Sequence, residues 1–272
     1  MYKGSIVAII LTYNEEQILR KCLEALDFVD SIIVFDSFSI DSTTDIAKSF
    51  NAEIFKREFD NYAEQRNAAL NAAPNKYNWI LMVDADEIVT PELKDEILSQ
   101  VAVETDIDMY RVRRKDMFRN KWIKRSSGYP TWFPRLFRNG KVQVRRKVNE
   151  EYITEGKVAN LSSHLLHYPF NKGMNWWFEK HRRYSQMEAE LMKNELQGPN
   201  KLSQLFAKDP VIRRKAQKRL SYQIPFRPQV IFLALLILRG GFLDGRAGFA
   251  FCKLRMTYEK MIAEQFKQLQ QC

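Results

Sequence analysis

The chain has 272 residues, 45% apolar and 28% charged, values of an ordinary globular protein long enough to bury a large core. That composition excludes a disordered chain, a collagen and a disulfide scaffold. The net charge of +10 is unevenly spread: −10 over residues 1–104, +9 over 105–169 and +11 over 170–272. An acidic first part joined to a basic remainder implies two different kinds of partner.

Along the first hundred residues two periods alternate. Ser5–Leu11 is a continuous apolar run, the pattern of a buried parallel strand. Asn14 can cap a helix carrying Ile18, Leu19, Cys22, Leu23 and Leu26. Ser31–Phe35 is a second strand, Asp41 starts a helix to about Phe50, and Ala52–Phe55 is a third strand before a helix over Asn61–Ala72. Trp79–Val83 is a fourth strand ending in Asp84, and Pro91 opens a helix to about Val101. This alternation predicts a parallel sheet covered by helices, with ligands bound beyond the C-terminal strand ends.

Residues 105–169 read as short strands at Asp108–Arg114, Trp132–Phe137, Val142–Val144 and Ser163–Tyr168, a more antiparallel part of the sheet. From Asn171 the pattern is helical, with Trp177, Tyr184, Met187 and Leu191 on one face and Gly198-Pro199 as a break. A polar, basic helix is expected over 200–221, then an apolar run at Val230–Leu238, then an amphipathic helix at Ala247–Gln270. The nine apolar residues of Val230–Leu238 reach about 14 Å as a helix, against roughly 30 Å of bilayer hydrocarbon. They cannot span alone. Cys22, Cys252 and Cys272 suggest neither a zinc site nor a disulfide framework, and the first residues do not read as a signal peptide, so a cytoplasmic location is expected.

Three strand ends carry carboxylates: Glu15 after Thr12-Tyr13-Asn14, Asp36 followed by Asp41, and Asp84-Ala85-Asp86-Glu87. Helix capping accounts for Asn14, Asp41 and Thr90 equally well. Asp84 and Asp86, one residue apart in a turn behind a buried strand, are better explained by a shared cation such as Mg²⁺ or Mn²⁺.

Eight segments together resemble the family 2 glycosyltransferases of GT-A fold. They are Ile9-Ile10-Leu11-Thr12-Tyr13-Asn14-Glu15-Glu16, Asp36–Thr43, Tyr62–Asn67, Asp84–Glu87, Pro134–Arg138, Val148-Asn149-Glu150, Leu165–Tyr168 and Gly241–Phe249. In this order, over nearly the whole chain, they are most similar to the bacterial branch of lipopolysaccharide inner-core β-1,4-glucosyltransferases. The resemblance implies a mixed, mostly parallel α/β sheet over 1–169, with 1–104 binding nucleotide and 105–169 binding acceptor. A helical region over 170–272 follows, interfacial to a membrane or oligomerising. It implies a UDP-sugar donor, held by Thr12 and Tyr13 at the base, Glu15 and Asp84 at the ribose, Asp36 at the uracil N3–H, and Gln65, Arg66 and Asn67 near the nucleotide. Asp86 and His167 would ligate the cation. Glu150 would be the general base of an inverting transfer, with Glu151 as the alternative register because Asn149 stands where many relatives have His. From their position alone, Arg145, Arg146 and Lys147 read equally as a lid over the diphosphate or as solvated charge, and Trp132 as a sugar platform or a core tryptophan.

The basic remainder suits a phosphorylated glycolipid acceptor and an anionic membrane. A homo-oligomer through the C-terminal helices, a nucleotidyltransferase, and a basic membrane- or nucleic-acid-binding module remain open at this point. Against the last stands the lack of a nucleic-acid motif, and against the second the lack of a Gly-rich loop after the first strand.

Overall fold

The computed structural model describes residues 4–145, 150–196, 206, 216, 219–222 and 224–271. The expected break at Gly198-Pro199, most of the basic helix over 200–221, and Arg146, Lys147, Val148 and Asn149 lie outside the described residues. The chain divides into two compact units, one through Met117 together with Tyr129–Asn171, the other Phe118–Gly128 with the chain from Lys172 onward. Phe118–Gly128, grouped by sequence with the first part, therefore belongs to the second.

The first unit runs β1 (Ile6–Thr12), α1 (Leu19–Glu24), β2 (Ser31–Asp36), α2 (Thr43–Ser49), β3 (Glu53–Lys56), α3 (Tyr62–Asn71), β4 (Trp79–Asp84), β5 (Glu87–Val89), α4 (Pro91–Val101) and β6 (Ile107–Phe118). After the two-residue β7 (Lys121–Trp122) in the second unit, it resumes with β8 (Trp132–Arg138), β9 (Gln143–Arg145), β10 (Glu151–Ile153) and β11 (Lys157–His167). Eight of these strands form one sheet in the order β3-β2-β1-β4-β8-β6-β11-β5. The first four are mutually parallel, β8 is antiparallel to β4 and β6, and β6 and β11 are parallel. This is the mixed, mostly parallel α/β class expected of the sequence.

Strand alternation divides the core. Ile6, Ala8 and Ile10 of β1 face a layer with Leu19 and Leu23 of α1, Ala47 of α2, and Leu93, Ile97 and Val101 of α4. Val7 and Ile9 face the other side, with Ala63, Ala69 and Leu70 of α3. Both faces of β1 are covered, which is why its sequence is apolar throughout.

Thr90 caps as expected, accepting the Leu93 N–H at 3.3 Å with Pro91 in the first turn, and Asn61, not singled out as a cap, accepts the Glu64 N–H at 3.1 Å. Asn14 does not cap: α1 starts only at Leu19, Asn14 is left-handed at φ 54°, and its side chain accepts the Ile40 N–H at 2.9 Å. Strands β6 and β11 outrun their expected lengths because they pair in parallel from Lys157↔Ile107 to His167↔Asp116.

The second unit contains α5 (Gly173–Leu196), a helix at Arg227–Leu233 continued by a π-helical turn at Ala234–Leu238, a 3-10 turn at Gly241–Asp244 and a long helix at Gly245–Gln271. On α5 the buried residues are Trp177, Ser185, Ala189 and Met192, whereas Met187 is exposed. The interior face is therefore rotated from the one expected. Among the described residues, no helix is long and apolar enough to cross a membrane.

Candidate active site

The strand register assembles the polar edge. Thr12 pairs with Asp36 across β1 and β2, and Leu11 with Asp84 across β1 and β4. Thr12, Asp36 and Asp84 thus end three neighbouring strands at one edge, the position where α/β sheets bind ligands. The β2 end is held tightly. Asp36, fully buried, accepts Thr12 Oγ1 at 2.8 Å, the Ser39 N–H at 2.8 Å and Ser39 Oγ at 2.5 Å. Its carboxylate spends most of its capacity shaping the Ser37–Ser39 loop. Beside it Tyr13 is 44% exposed, while Glu15 accepts Asn171 Nδ2 at 2.8 Å.

From α3, Gln65 and Arg66 point inward and are buried. Gln65 joins Arg57 Nη1, which donates to its Oε1 at 2.6 Å, to Ser37 Oγ, which accepts its Nε2–H at 3.1 Å. Arg66 donates from Nη2 to Asp84 Oδ1 at 2.9 Å and from Nε to Glu150 Oε1 at 3.2 Å. One guanidinium therefore draws together the end of β4 and the residue preceding β10. Among the described residues, its Nη1 is buried without a hydrogen-bond partner, as is the nearby Tyr152 hydroxyl. Asn67 ties α3 to β9. Its Nδ2 donates to the Val144 carbonyl and its Oδ1 accepts the Val144 N–H, both at 2.8 Å. Both ends of the amide bond to β9, so Asn67 fixes that strand.

Behind Asp84 lies an ion network that sequence reading passed over. Glu87 is fully buried and receives Arg135 Nε at 2.7 Å, Arg135 Nη2 at 2.8 Å, the Asp84 N–H at 3.1 Å and Arg114 Nη1 at 3.4 Å. Arg135 also donates from Nη2 to Asp84 Oδ2 at 2.8 Å. Burial alone would push the Asp84 carboxyl up, but the Arg66 and Arg135 guanidiniums outweigh it and hold it well below the usual carboxylate range. Both Asp84 oxygens are thus occupied by arginine. The Asp-Ala-Asp-Glu and Pro-Arg-Leu-Phe-Arg segments held the clue, as a carboxylate-rich turn and an arginine inside an apolar strand.

Asp86 faces another partner. His167, at the end of β11, lies with Nε2 3.4 Å from Asp86 Oδ2 and Nδ1 2.7 Å from Asp116 Oδ1. A carboxylate accepts only, so Nδ1 carries the hydrogen toward Asp116. Burial depresses the His167 pKa, but Asp86 and Asp116 together raise it above the usual value. The two expected ligands are therefore brought together, and Asp116, unforeseen in the sequence, holds the other ring nitrogen of His167. Among the described residues, no group of three or more His, Cys, Asp and Glu side chains has metal-holding geometry.

The remaining expected residues are less central. Glu150 precedes β10 next to Arg66, whereas Glu151 is exposed on β10. Arg145 is exposed on β9, and of the basic lid it is the one member within the described residues. Trp132 begins β8 with the Arg113 guanidinium 5.2 Å from its ring centroid, so that platform already carries a cation.

A mostly parallel α/β sheet whose strand ends gather carboxylates, a buried arginine and a histidine defines a ligand-binding edge of enzyme type. The family model described as glycosyl transferase family 2 matches residues 7–159. The chain belongs to that family, which decides for a transferase of glycosyl groups over a nucleotidyltransferase or a binding module without catalysis. It is 26% identical over 269 residues to the lipopolysaccharide core biosynthesis glycosyltransferase LpsC of Rhizobium meliloti (strain 1021), covering 96% of this chain and 91% of LpsC. It is 28% identical over 202 residues to the glycosyltransferase SunS of Bacillus subtilis (strain 168), 70% of this chain and 46% of SunS. Among solved structures, glucosyl-3-phosphoglycerate synthase of Mycobacterium tuberculosis with Mn²⁺, UDP and glucosyl-3-phosphoglycerate matches at 21% identity and TM-score 0.36, covering 41% of this chain and 44% of that one. That likeness is too slight to transfer its ligands.

Proposed function

We propose that this chain transfers a hexose, with glucose favoured, from a UDP-sugar to a hydroxyl of a lipopolysaccharide-core or other cell-surface glycan. The transfer inverts the anomeric carbon and forms a β-glycosidic bond. The observation that carries the reading is Arg66: one buried guanidinium joins Asp84 to Glu150 while its Nη1 has no partner among the described residues. An orphaned buried donor fits an anionic ligand group such as a diphosphate. The printed name of LpsC supports an acceptor in the lipopolysaccharide core.

The donor set of Asp86 Oδ2 and His167 Nε2 also fits Mn²⁺ or Mg²⁺. With two protein ligands, other coordination positions are open to substrate oxygens and water. Such a cation supplies counter-charge to the departing diphosphate. Tyr13 offers its exposed ring to the uracil, Glu15 faces the ribose edge, and the Asp36–Ser39 loop shapes the base site. Arg66 Nε engages Glu150 Oε1, leaving Oε2 to take the acceptor proton. As that hydroxyl oxygen attacks the anomeric carbon, the bond to the diphosphate breaks and its electron pair leaves with the diphosphate. The proton stays on Glu150.

The test combines thermal unfolding with turnover of a panel of nucleotide sugars. A ligand at about 100 times its Kd stabilises by about 2.7 kcal/mol, so UDP with Mn²⁺ should raise Tm clearly. Asp86→Ala should fold normally, lose the metal-dependent part of that rise and lose transfer. Equal stabilisation by UDP in EDTA, or full activity of Asp86→Ala, would defeat the metal assignment.

A further inference from the structure

The exposed apolar side chains of the second unit are ordered. Phe226, Val230, Leu233 and Ile237 follow at i, i+4, i+7 and i+11, the spacing of one helix face. The Arg227–Leu233 helix and its π-helical continuation carry that face toward solvent: neither element contributes a fully buried residue. Leu238, Phe242, Leu243 and Phe249 extend it, with Phe226 78% and Leu238 84% exposed.

The turn between them is anchored from inside. Asp244, buried, accepts the Arg125 and Ser126 N–H groups at 2.9 Å and Ser126 Oγ at 2.6 Å. A Cβ on Gly248 would lie 2.3 Å from the Gly241 carbonyl oxygen, so the 3-10 turn and the long helix meet backbone to backbone. Phe242 and Leu243, between these fixed points, are 57% and 58% exposed.

The surrounding charge is mainly basic, although Arg227 and Arg255 are paired with the buried Glu259 at 3.0 and 2.7 Å. Between residues 224 and 255 there are five basic side chains and one acid, Asp244. Arg239, Arg246, Lys253 and Arg255 are exposed, and Lys253 Nζ lies 4.8 Å from the Phe249 ring centroid. We propose that this surface docks on an anionic lipid bilayer, its apolar face at the headgroup–acyl boundary and its Arg and Lys side chains among the headgroups. An apolar stripe flanked by exposed cations matches a layer of hydrocarbon beneath a layer of negative charge. A second copy of the chain fits worse, because a two-fold contact through the same face would set like charges opposite each other. The inference does not depend on the donor or acceptor proposed above.

The experiment is flotation of the full chain with vesicles of phosphatidylethanolamine and phosphatidylglycerol, and with phosphatidylcholine vesicles. The protein should float with the anionic vesicles at low salt and return to the soluble fraction at high salt. Leu233→Glu with Ile237→Glu should cut flotation about tenfold or more while leaving the circular dichroism and Tm unchanged, since both side chains are exposed. Arg239→Glu with Arg246→Glu should cut flotation with anionic vesicles about tenfold or more without lowering the residual binding to phosphatidylcholine. The proposal is overturned if the wild-type chain stays soluble at low salt or if the Leu233/Ile237 variant floats equally well. It is also overturned if light scattering finds a dimer that this variant converts to monomer, which would make the face a contact between copies.

Discussion

Glu87 is the residue whose removal the fold should tolerate least. It is fully buried and receives two hydrogen bonds from Arg135, itself 3% exposed, besides the Asp84 N–H and Arg114. Glu87→Ala leaves the buried Arg135 cation with Asp84 Oδ2 at 2.8 Å and the Pro134 carbonyl at 3.3 Å. Breaking a buried pair from one side costs about 3–5 kcal/mol, because the surviving charge stays desolvated. At about 2–4 °C per kcal/mol for a chain of this size class, Tm should fall by roughly 8–16 °C at a loss of about 4 kcal/mol. Urea unfolding followed by circular dichroism measures the same quantity independently. Replacing both partners, Glu87→Met with Arg135→Met, removes the orphaned charge, and Asp84 keeps Arg66 at 2.9 Å. The double variant should therefore recover much of the lost stability, yet lose transfer because the end of β4 is no longer held from two sides. A single variant within about 1 kcal/mol of the wild type, or a double variant no more stable than the single, would refute the account of this network.

Three further outcomes are expected. Glu150→Gln should lower kcat by about 10²–10⁴ with little change in UDP affinity; if Glu151→Gln does so instead, the base has been assigned one residue too early. Gly248→Ala forces a Cβ to within 2.3 Å of the Gly241 carbonyl and should cost about 1–3 kcal/mol by overpacking, read as a lower urea midpoint. His181 stacks on Trp177 at 3.8 Å between ring centroids, and burial pushes its pKa down to about 4. Below the ordinary histidine pKa of about 6.5 the unfolded chain binds a proton that the folded one refuses. Stability should accordingly fall between about pH 6.5 and pH 4, by roughly 2 kcal/mol after discounting for partial exposure. That slope should flatten in His181→Gln, and an unchanged slope would remove His181 as its source.

What the sequence determined here is what short-range physics controls. The apolar run of β1, the Asn61 and Thr90 caps and Pro91 place strands and helices to within a residue or two, because capping and burial period are local. The succession of strands and helices then brings Thr12, Asp36 and Asp84 to one edge, since parallel strands joined by crossovers all end on the same side. Asn14 marks where local reading fails. A cap and a loop anchor use the same amide, and only the approach of Ile40, 26 residues away, selected the anchor. Tertiary structure also decided which polar groups are spent on the fold. Asn67 is bonded at both ends of its amide to Val144, and Asp84 is shared by Arg66 and Arg135, from 18 residues before it and 51 after. The exposed face from Phe226 to Ile237 belongs to the same category: an apolar run reads alike whether covered or bare. Hydrophobicity and charge are properties of a residue, whereas the partner that satisfies or covers it is set by chain segments distant in sequence that packing brings together.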